Sequence, residues 1–179
     1  LAIRPDGRQA ASASRDWTIR TWDLESGRSS GALEGHQNIV DQIRITPDGR
    51  RLLSVSWDGS ARVWGLADFR HRMSLAGEMN KSCRLWLEPD GRIVWDRMQR
   101  CWDLETGTLL KEFPPQSGSA EAIAVTPDGK HLVCGGWDKV LRIWDIQRRE
   151  CRGTLEGHAG AVTTIRVTPD GRKAVSGGK

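Results

Sequence analysis

Residues 33–65 read LEGHQNIVDQIRITPDGRRLLSVSWDGSARVWG, and this stretch contains three predicted strands and the turns between them. Three short runs of alternating apolar and polar residues are separated by two turn sequences, and such alternation favours strands. Pro-Asp-Gly and Asp-Gly are typical of tight turns between antiparallel strands. The predicted strands are VDQIRIT (40–46), RLLSVS (51–56) and ARVWG (61–65).

The same pattern returns along the whole chain. Pro-Asp-Gly occurs five times, in steps of 42, 42, 38 and 42 residues, and two single-residue markers keep the same phase. Several short strands in every repeat of this length indicate the blades of a β-propeller. The markers are Pro-Asp-Gly at 5–7, 47–49, 89–91, 127–129 and 169–171, aspartate at 16, 58, 96 and 138, and tryptophan at 22, 64, 102 and 144.

Composition agrees with a soluble globular protein. The chain has 179 residues, 37% of them hydrophobic and 28% charged, with nine tryptophans, no tyrosine and a net charge of +4. No apolar run approaches the roughly 20 residues of a membrane-spanning helix. The four cysteines are scattered without CxxC spacing, which favours reduced thiols and a cytoplasmic protein.

On these motifs the chain resembles the WD40-repeat family over its full length. Residues 33–65 and 137–178 carry Gly-His pairs, Pro-Asp-Gly turns and terminal Trp positions in the family register, although Gly65 stands where Asp is usual. The resemblance implies an all-β, WD40-type propeller, an incomplete arc of about three full four-stranded antiparallel blades plus two partial ones. The expected divisions are a partial blade 1–34, blade 35–76, degenerate blade 77–114, blade 115–156 and partial blade 157–179.

The resemblance also implies a structural hydrogen-bond network inside each blade. His, Ser, turn Asp and signature Trp form one buried chain in the family, and in the second repeat these are His36, Ser54, Asp58 and Trp64. A Ser-His-Asp nucleophile triad is the alternative interpretation, disfavoured because the set recurs in phase with the fold. Incomplete sets are expected elsewhere: Ser12, Asp16 and Trp22; Asp138 and Trp144; His158 and Ser176.

The third repeat is expected to be the weak blade. It has Glu78 in the His position, and its strand RIVW is shortened. Trp86 either fills the space left by the shortened strand or is a partly exposed tryptophan, and the sequence does not separate the two.

A second set of tryptophans beside the turn aspartates predicts a partner-binding rim, because the resemblance places this turn on the face where partners dock. Trp and Arg dominate interaction hot spots, and the alternative is that these indoles pack on neighbouring loops. The candidate partner-binding residues are Arg15, Trp17, Ile39, Asp41, Trp57, Lys81, Trp95, Glu121 and Trp137.

The Pro-Asp-Gly turns, on the face opposite the predicted rim, carry basic residues in register. A ring of basic residues is able to bind nucleic acid or an acidic partner. Solvated turn positions are the simpler interpretation. These residues are Arg8, Arg50, Arg92, Lys130 and Arg172.

We expect a non-catalytic protein-protein interaction scaffold that is a segment of a larger, signalling or regulatory protein. No P-loop, metal-ligand cluster or paired carboxylates are recognisable in the sequence, so no enzyme activity, cofactor or metal is expected. The partner is expected to be a protein or peptide, and nucleic acid is the weaker alternative. No membrane partner is expected. Closing a ring requires further blades or a second chain.

Overall fold

The computed structural model describes residues 1–75, 84–88, 90–113 and 120–179. Within these ranges the regular elements are strands joined by turns, and none of them is a helix, so the all-β prediction is confirmed. The strands are β1 Ala2–Ile3, β2 Gln9–Ala13, β3 Ile19–Asp23, β4 Ser29–Leu33, β5 Val40–Ile45, β6 Arg51–Ser56, β7 Ala61–Gly65, β8 His71–Ser74, β9 Leu85–Leu87, β10 Ile93–Asp96, β11 Arg100–Asp103, β12 Leu109–Glu112, β13 Ala120–Val125, β14 His131–Gly136, β15 Leu141–Asp145, β16 Glu150–Leu155, β17 Val162–Val167 and β18 Ala174–Gly178.

The strands form sheets in which chain neighbours are also sheet neighbours. The orders are β1-β2-β3-β4, β5-β6-β7-β8, β12-β11-β10-β9 and β13-β14-β15-β16, and a final pair is β17-β18. The first repeat, expected to be partial, is a four-stranded sheet because the short β1 pairs Ala2 with Ala11 and Ile3 with Ala10. A four-stranded meander of this kind is the propeller blade that the repeat length predicts.

The Pro-Asp-Gly turns owe their shape to local hydrogen bonds. In the turn between β5 and β6, Gly49 has φ 68°, a left-handed conformation that suits glycine. Its N–H donates to the carbonyl of Thr46 at 2.8 Å. The Asp48 carboxylate accepts the Thr46 hydroxyl at 2.5 Å and the Arg50 N–H at 2.9 Å. The turn is therefore specified by residues that are adjacent in sequence.

The chain divides into two compact units, each with its own core. The first comprises Leu1–Val94 and Trp102–Leu110, and the second comprises Trp95–Cys101 and Lys111–Lys179. Strand β6 shows how the first unit is built, because adjacent side chains in a strand point to opposite faces. Leu52 packs in a cluster with residues of β2, β3 and β5 such as Ile19, while Leu53 packs in a second cluster with Trp102. A central sheet of this unit is thus buried on both faces.

The core of the second unit joins the fourth and fifth sheets. Val133 and Leu141 of the fourth sheet pack against Val162 and Ile165 of the fifth. Gly135 permits this close approach, since a Cβ at this position would lie 3.2 Å from the side chain of Val162.

The third sheet corrects one prediction for the partner-binding rim. Trp95 is only 1% exposed, whereas a rim residue must be accessible. The reason is that Trp95 lies inside the four-residue strand β10, while Trp57 and Trp137 lie just beyond β6 and β14. Its ring packs 5.6 Å from that of Phe113, which in turn lies 5.2 Å from Trp144. Trp95 is a core residue of the second unit.

Trp86, in β9, is half-buried and lies beside the buried Leu85. Glu78, the residue in the expected histidine position of this repeat, lies outside the described residues.

Replacing Trp95 by Ala is expected to lower the free energy of unfolding by about 3–5 kcal/mol, because it leaves a cavity beside Phe113. Trp137→Ala is the matched control and is expected to cost less than about 1 kcal/mol, since this side chain is 65% exposed. Urea unfolding followed by circular dichroism measures both. Equal losses in the two variants would contradict the different placements of these residues.

Candidate functional site

One hydrogen-bonded chain crosses the second sheet from its core to its surface. The indole N–H of Trp64 donates to the Ser54 hydroxyl oxygen at 2.8 Å. Ser54 Oγ lies 2.7 Å from His36 Nε2, and His36 Nδ1 lies 2.8 Å from Asp58 Oδ2. The structure thus brings the four predicted residues of this repeat together, joining the Gly-His segment before β5 to strands β6 and β7 and the turn between them.

Donor and acceptor chemistry sets the direction of this chain. The Ser54 oxygen accepts from Trp64, so the Ser54 hydroxyl hydrogen is available for His36 Nε2, and His36 Nδ1–H then donates to Asp58. This tautomer satisfies every member. Burial lowers the pKa of His36, and it outweighs the hydrogen bond and the charge of Asp58, which act to raise it. The neutral imidazole is therefore the form that the site favours.

Asp58 completes the chain as an ionised acceptor. Its partial burial acts to raise its pKa, but hydrogen bonds from the Gln37 N–H, the Ser60 hydroxyl and His36 outweigh this effect and hold the pKa well below its usual range. The Gln37 N–H donates at 3.0 Å and the Ser60 hydroxyl at 2.7 Å. One carboxylate thereby holds together the loop before β5 and the turn between β6 and β7.

The same geometry favours a structural role over a nucleophile triad. Ser54 is 1% exposed, and its oxygen already accepts the Trp64 indole. A nucleophile needs an accessible oxygen beside a bound substrate. Ser54 instead satisfies a buried donor.

The other repeats contain shorter versions of this chain. Trp22 donates to Ser12 at 2.8 Å, and His158 Nε2 lies 2.7 Å from Ser176 Oγ. In the fourth sheet Cys134 occupies the serine position, and burial raises the pKa of its thiol to about 11. The buried indole nitrogen of Trp144 has no nitrogen or oxygen acceptor among the described residues.

Arginines four residues after the turn aspartate were missed by the sequence reasoning. Arg100 pairs with Asp96 at 2.7 Å and Arg142 with Asp138 at 2.5 Å, in the two repeats whose sequence lacks a Gly-His pair in the family register. In the second repeat His36 holds Asp58, and the guanidinium of Arg62 lies 6.0 Å from the centre of the Trp64 ring. The available signal was the recurrence of arginine at 20, 62, 100 and 142.

In the first unit, five of the predicted rim residues lie around the start of β5. The Trp57 N–H donates to the carbonyl of Ile39 at 2.9 Å. The Val40 N–H donates to the carbonyl of Ser14, at the beginning of the turn that holds Arg15 and Trp17, at 3.4 Å. Both turns therefore meet the start of β5. Trp17 is 50% exposed and Trp57 is 41% exposed. Arg15 and Asp41 are exposed as well, and Ile39 is half-buried.

Trp17 has an uncommon backbone conformation. Its φ is 73°, a left-handed conformation that disfavours bulky side chains. The equivalent position after the turn aspartate is Gly59 in the second repeat, with φ 83°, and Lys139 in the fourth, with φ 67°. The left-handed conformation is thus a feature of this turn, and in the first repeat a large exposed side chain occupies it.

In the second unit, Glu121 connects two other side chains. Trp137 Nε1–H donates to Glu121 Oε1 at 2.9 Å, and Arg97 forms an ion pair with the same carboxylate oxygen. The indole of Trp137 is held in place while remaining exposed. Arg97 was not among the predicted rim residues, and Lys81, which was, lies outside the described residues.

A β-bulge at the start of the first strand places these acidic residues. The pairing of β5 with β6 passes from Val40 to Gln42, and that of β13 with β14 passes from Ala120 to Ala122. Asp41 and Glu121 are the extra residues, and bulges redirect side chains away from the regular alternation. The sequence contains no signal for this feature.

The five basic turn residues are all exposed. Arg92 pairs with Asp103 at 3.2 Å. Across the described ranges no group of three or more His, Cys, Asp or Glu residues is arranged to hold a metal ion, and no helix is long and apolar enough to cross a membrane.

Ser54→Ala is expected to lower the free energy of unfolding by about 2 kcal/mol, because it leaves the buried Trp64 indole and His36 without their shared partner. Ser12→Ala is the matched control. Trp22 is only partly buried, so water replaces the lost acceptor and the cost is smaller. Chemical denaturation of the full chain measures both variants, and a larger loss for Ser12→Ala would contradict this account.

The lowered pKa of His36 predicts a pH dependence of stability. The unfolded state, with the ordinary pKa of 6.5, binds more protons than the folded state, so stability falls as pH drops from about 7.5 to about 5.5. His36→Gln is expected to flatten this slope. His71, whose pKa burial also lowers, supplies a residual slope. Urea midpoints across this range test the assignment, and an unchanged slope in the variant would refute it.

Comparison with known proteins agrees with this geometry. The model of the family described as WD domain, G-beta repeat, matches residues 1–23, 27–65, 107–145 and 149–179. The chain is also 46% identical over 43 residues to a Lissencephaly-1 homolog of Monosiga brevicollis, a match that covers 24% of this chain and 10% of that protein. Since the family model matches more than half of its residues, the chain belongs to the WD40-repeat family and its sheets are blades of a WD40-type β-propeller.

Proposed function

We propose that this chain is a non-catalytic scaffold that binds a protein partner through the exposed tryptophans beside its turn aspartates, as part of a larger signalling or regulatory protein. WD40 repeats are generally protein-interaction scaffolds. The observation that carries the proposal is the exposure of Trp17, Trp57 and Trp137, at 50%, 41% and 65%. All three stand next to the turn aspartate of their repeat.

The exposed indoles have the chemistry of binding hot spots. Trp and Arg combine a large contact area with hydrogen-bonding capacity. In the first unit Arg15 lies in the same turn as Trp17, and Asp41 adds an exposed carboxylate near Ile39. Such a surface suits a partner segment with an apolar side chain flanked by polar groups.

The backbone of Trp17 supports a functional role. A left-handed tryptophan is less stable than glycine at the same position by about 1–2 kcal/mol. The exposed side chain does not recover this energy by burial in the fold. Contact with a partner explains why a tryptophan at this position is useful.

Trp137 is organised for binding before a partner arrives. Its hydrogen bond to Glu121, itself paired with Arg97, restricts the indole to one orientation. An immobilised side chain loses less conformational entropy on association. This pre-organisation favours recognition of a defined surface over loose hydrophobic adhesion. The cytoplasmic location suggested by the scattered cysteines stays a prediction.

Affinity capture tests this function. The immobilised full chain is incubated with extract of cells that encode it, and quantitative mass spectrometry compares the wild type with Trp57→Ala and Trp17→Gly. Proteins retained by the wild type are expected to fall at least about fivefold in both variants. Arg172→Ala, at an exposed Pro-Asp-Gly turn, is the control and is expected to retain them.

The stability of Trp17→Gly separates function from folding. This variant is expected to unfold at a higher urea concentration than the wild type because the left-handed strain is relieved. Lower capture in a more stable protein identifies Trp17 as a binding residue. Unchanged capture by both rim variants would refute the proposal.

A further inference from the structure

The outermost strand of the second sheet presents an exposed serine beside two basic side chains. Ser74 is the last residue of β8, which forms the edge of that sheet. Its Oγ lies 3.3 Å from Nε2 of His71, which is exposed as well. Arg62, on the neighbouring strand β7, is the cross-strand partner of Ser74. A hydroxyl, an imidazole and a guanidinium thus come from two adjacent strands.

The register of β7 and β8 brings Arg62 and Ser74 close to each other. The Leu75 N–H donates to the carbonyl of Ala61 at 2.9 Å, immediately beside the Arg62–Ser74 pair. Facing residues that lie between such bonds form a non-hydrogen-bonded pair, in which Cα atoms are about 4.5 Å apart and side chains are closest. The long side chain of Arg62 is therefore able to reach a group attached to Ser74 Oγ.

A β-bulge brings His71 to the same face of the sheet. The pairing passes from Val63 and Met73 to Trp64 and His71, so Arg72 is the extra residue. Met73 packs against a core cluster of the first unit on the opposite face. The ring of His71 lies 5.3 Å from that of Trp64. The imidazole therefore shares a face with Ser74 and the guanidinium.

The two basic side chains lack a compensating negative charge. Neither Arg62 nor His71 forms an ion pair with a carboxylate in the part of the chain that the structure describes. The carboxylate of Asp58 pairs instead with His36. Burial, together with the positive charge of Arg62, lowers the pKa of His71. An anion between the two groups reverses this effect, because an opposite charge favours the protonated imidazole.

The equivalent positions in two other repeats lack this combination. In the fourth repeat Thr154 faces Arg142, but that guanidinium already pairs with Asp138. Cys151 stands there in place of the histidine. In the first repeat the facing residue is Ala32, which has no hydroxyl. The second repeat therefore differs from both by joining a hydroxyl to two basic groups without carboxylate partners.

We propose that Ser74 is a phosphorylation site and that the Arg62 guanidinium and the His71 imidazole hold its phosphate. A phosphoserine carries a charge near −2 and three strong acceptor oxygens. Guanidinium binds phosphate through paired, charge-assisted hydrogen bonds. The modification links β7 to β8 through side chains, and it is separate from binding by the exposed tryptophans.

The residues before Ser74 favour a protein kinase whose peptide-binding groove is acidic. Arg70 and Arg72 are both exposed and precede the serine by four and two residues. Opposite charges on enzyme and substrate promote their encounter. In the transfer, Ser74 Oγ forms a bond to the γ-phosphorus of ATP, and the bond from that phosphorus to the β,γ-bridging oxygen breaks. ADP leaves, and the hydroxyl proton passes to the catalytic aspartate of the kinase.

Incubation of the full chain with ATP and a purified serine kinase that selects arginine before the serine tests the site. Peptide mass spectrometry is expected to find phosphate on Ser74. Incorporation is expected to fall at least about fivefold in the double variant Arg70→Gln, Arg72→Gln. A synthetic peptide of residues 68–75 checks that the kinase accepts this sequence. Phosphate on the peptide but not on the folded chain, or on neither, would overturn the proposal.

A chain with phosphoserine introduced at position 74 during translation tests the partners of the phosphate. The pKa of His71, followed by NMR, is expected to rise by about one unit, with His131 in the second unit as the internal reference. The equilibrium constant of unfolding is expected to fall about fivefold. Arg62→Gln in the phosphorylated chain is expected to remove most of both effects.

Phosphothreonine at position 154 is the matched control, because the arginine that faces it already has a carboxylate partner. It is expected to change the equilibrium constant of unfolding by less than about twofold. An unchanged pKa of His71 in the chain with phosphoserine at 74 would overturn the proposal, as would an equal gain in stability at position 154. None of these measurements uses a captured partner, so this proposal and the one for the tryptophans fail separately.

Discussion

The buried indole N–H of Trp64 imposes the constraint on which the second blade depends. A tryptophan of this size contributes strongly to a core, but its nitrogen must find an acceptor away from water. Ser54 supplies the acceptor and passes its own hydrogen to His36, which in turn requires Asp58. One hydrophobic side chain thereby determines the position of two strands, a loop and a turn.

The remaining repeats show how the constraint is met when members of the chain are missing. Arg100 and Arg142 hold the turn aspartates of the third and fourth repeats, where the sequence has no Gly-His pair in register. A guanidinium keeps the carboxylate paired in place of the histidine. Trp144 is accordingly buried without a nitrogen or oxygen acceptor in the described ranges, beside a protonated Cys134. The turn aspartate thus keeps a charged partner in these repeats.

The two ends of β6 have different chemical character. Trp57 and Ile39 meet at one end, and Arg50 and Gly65 lie at the other. Trp57 and Arg50 stand just outside the strand, where side chains are free of the packing that fixes the strand interior. Leu52 and Leu53, in the strand between these ends, make the core contacts.

The sequence by itself determined the repeat length, the strands and the turns, because these follow from local chemistry such as the Thr46, Asp48 and Gly49 contacts. The register of the markers also identified the four residues that the structure joins from Trp64 to Asp58. Tertiary structure alone decided which tryptophans are accessible: Trp95 is inside a shortened strand against Phe113, whereas Trp137 is outside one. It also decided the contact of Arg97 with Glu121, since a bulge redirects the glutamate. Burial and side-chain direction depend on neighbouring strands that are distant in sequence, and local patterns contain no information about them.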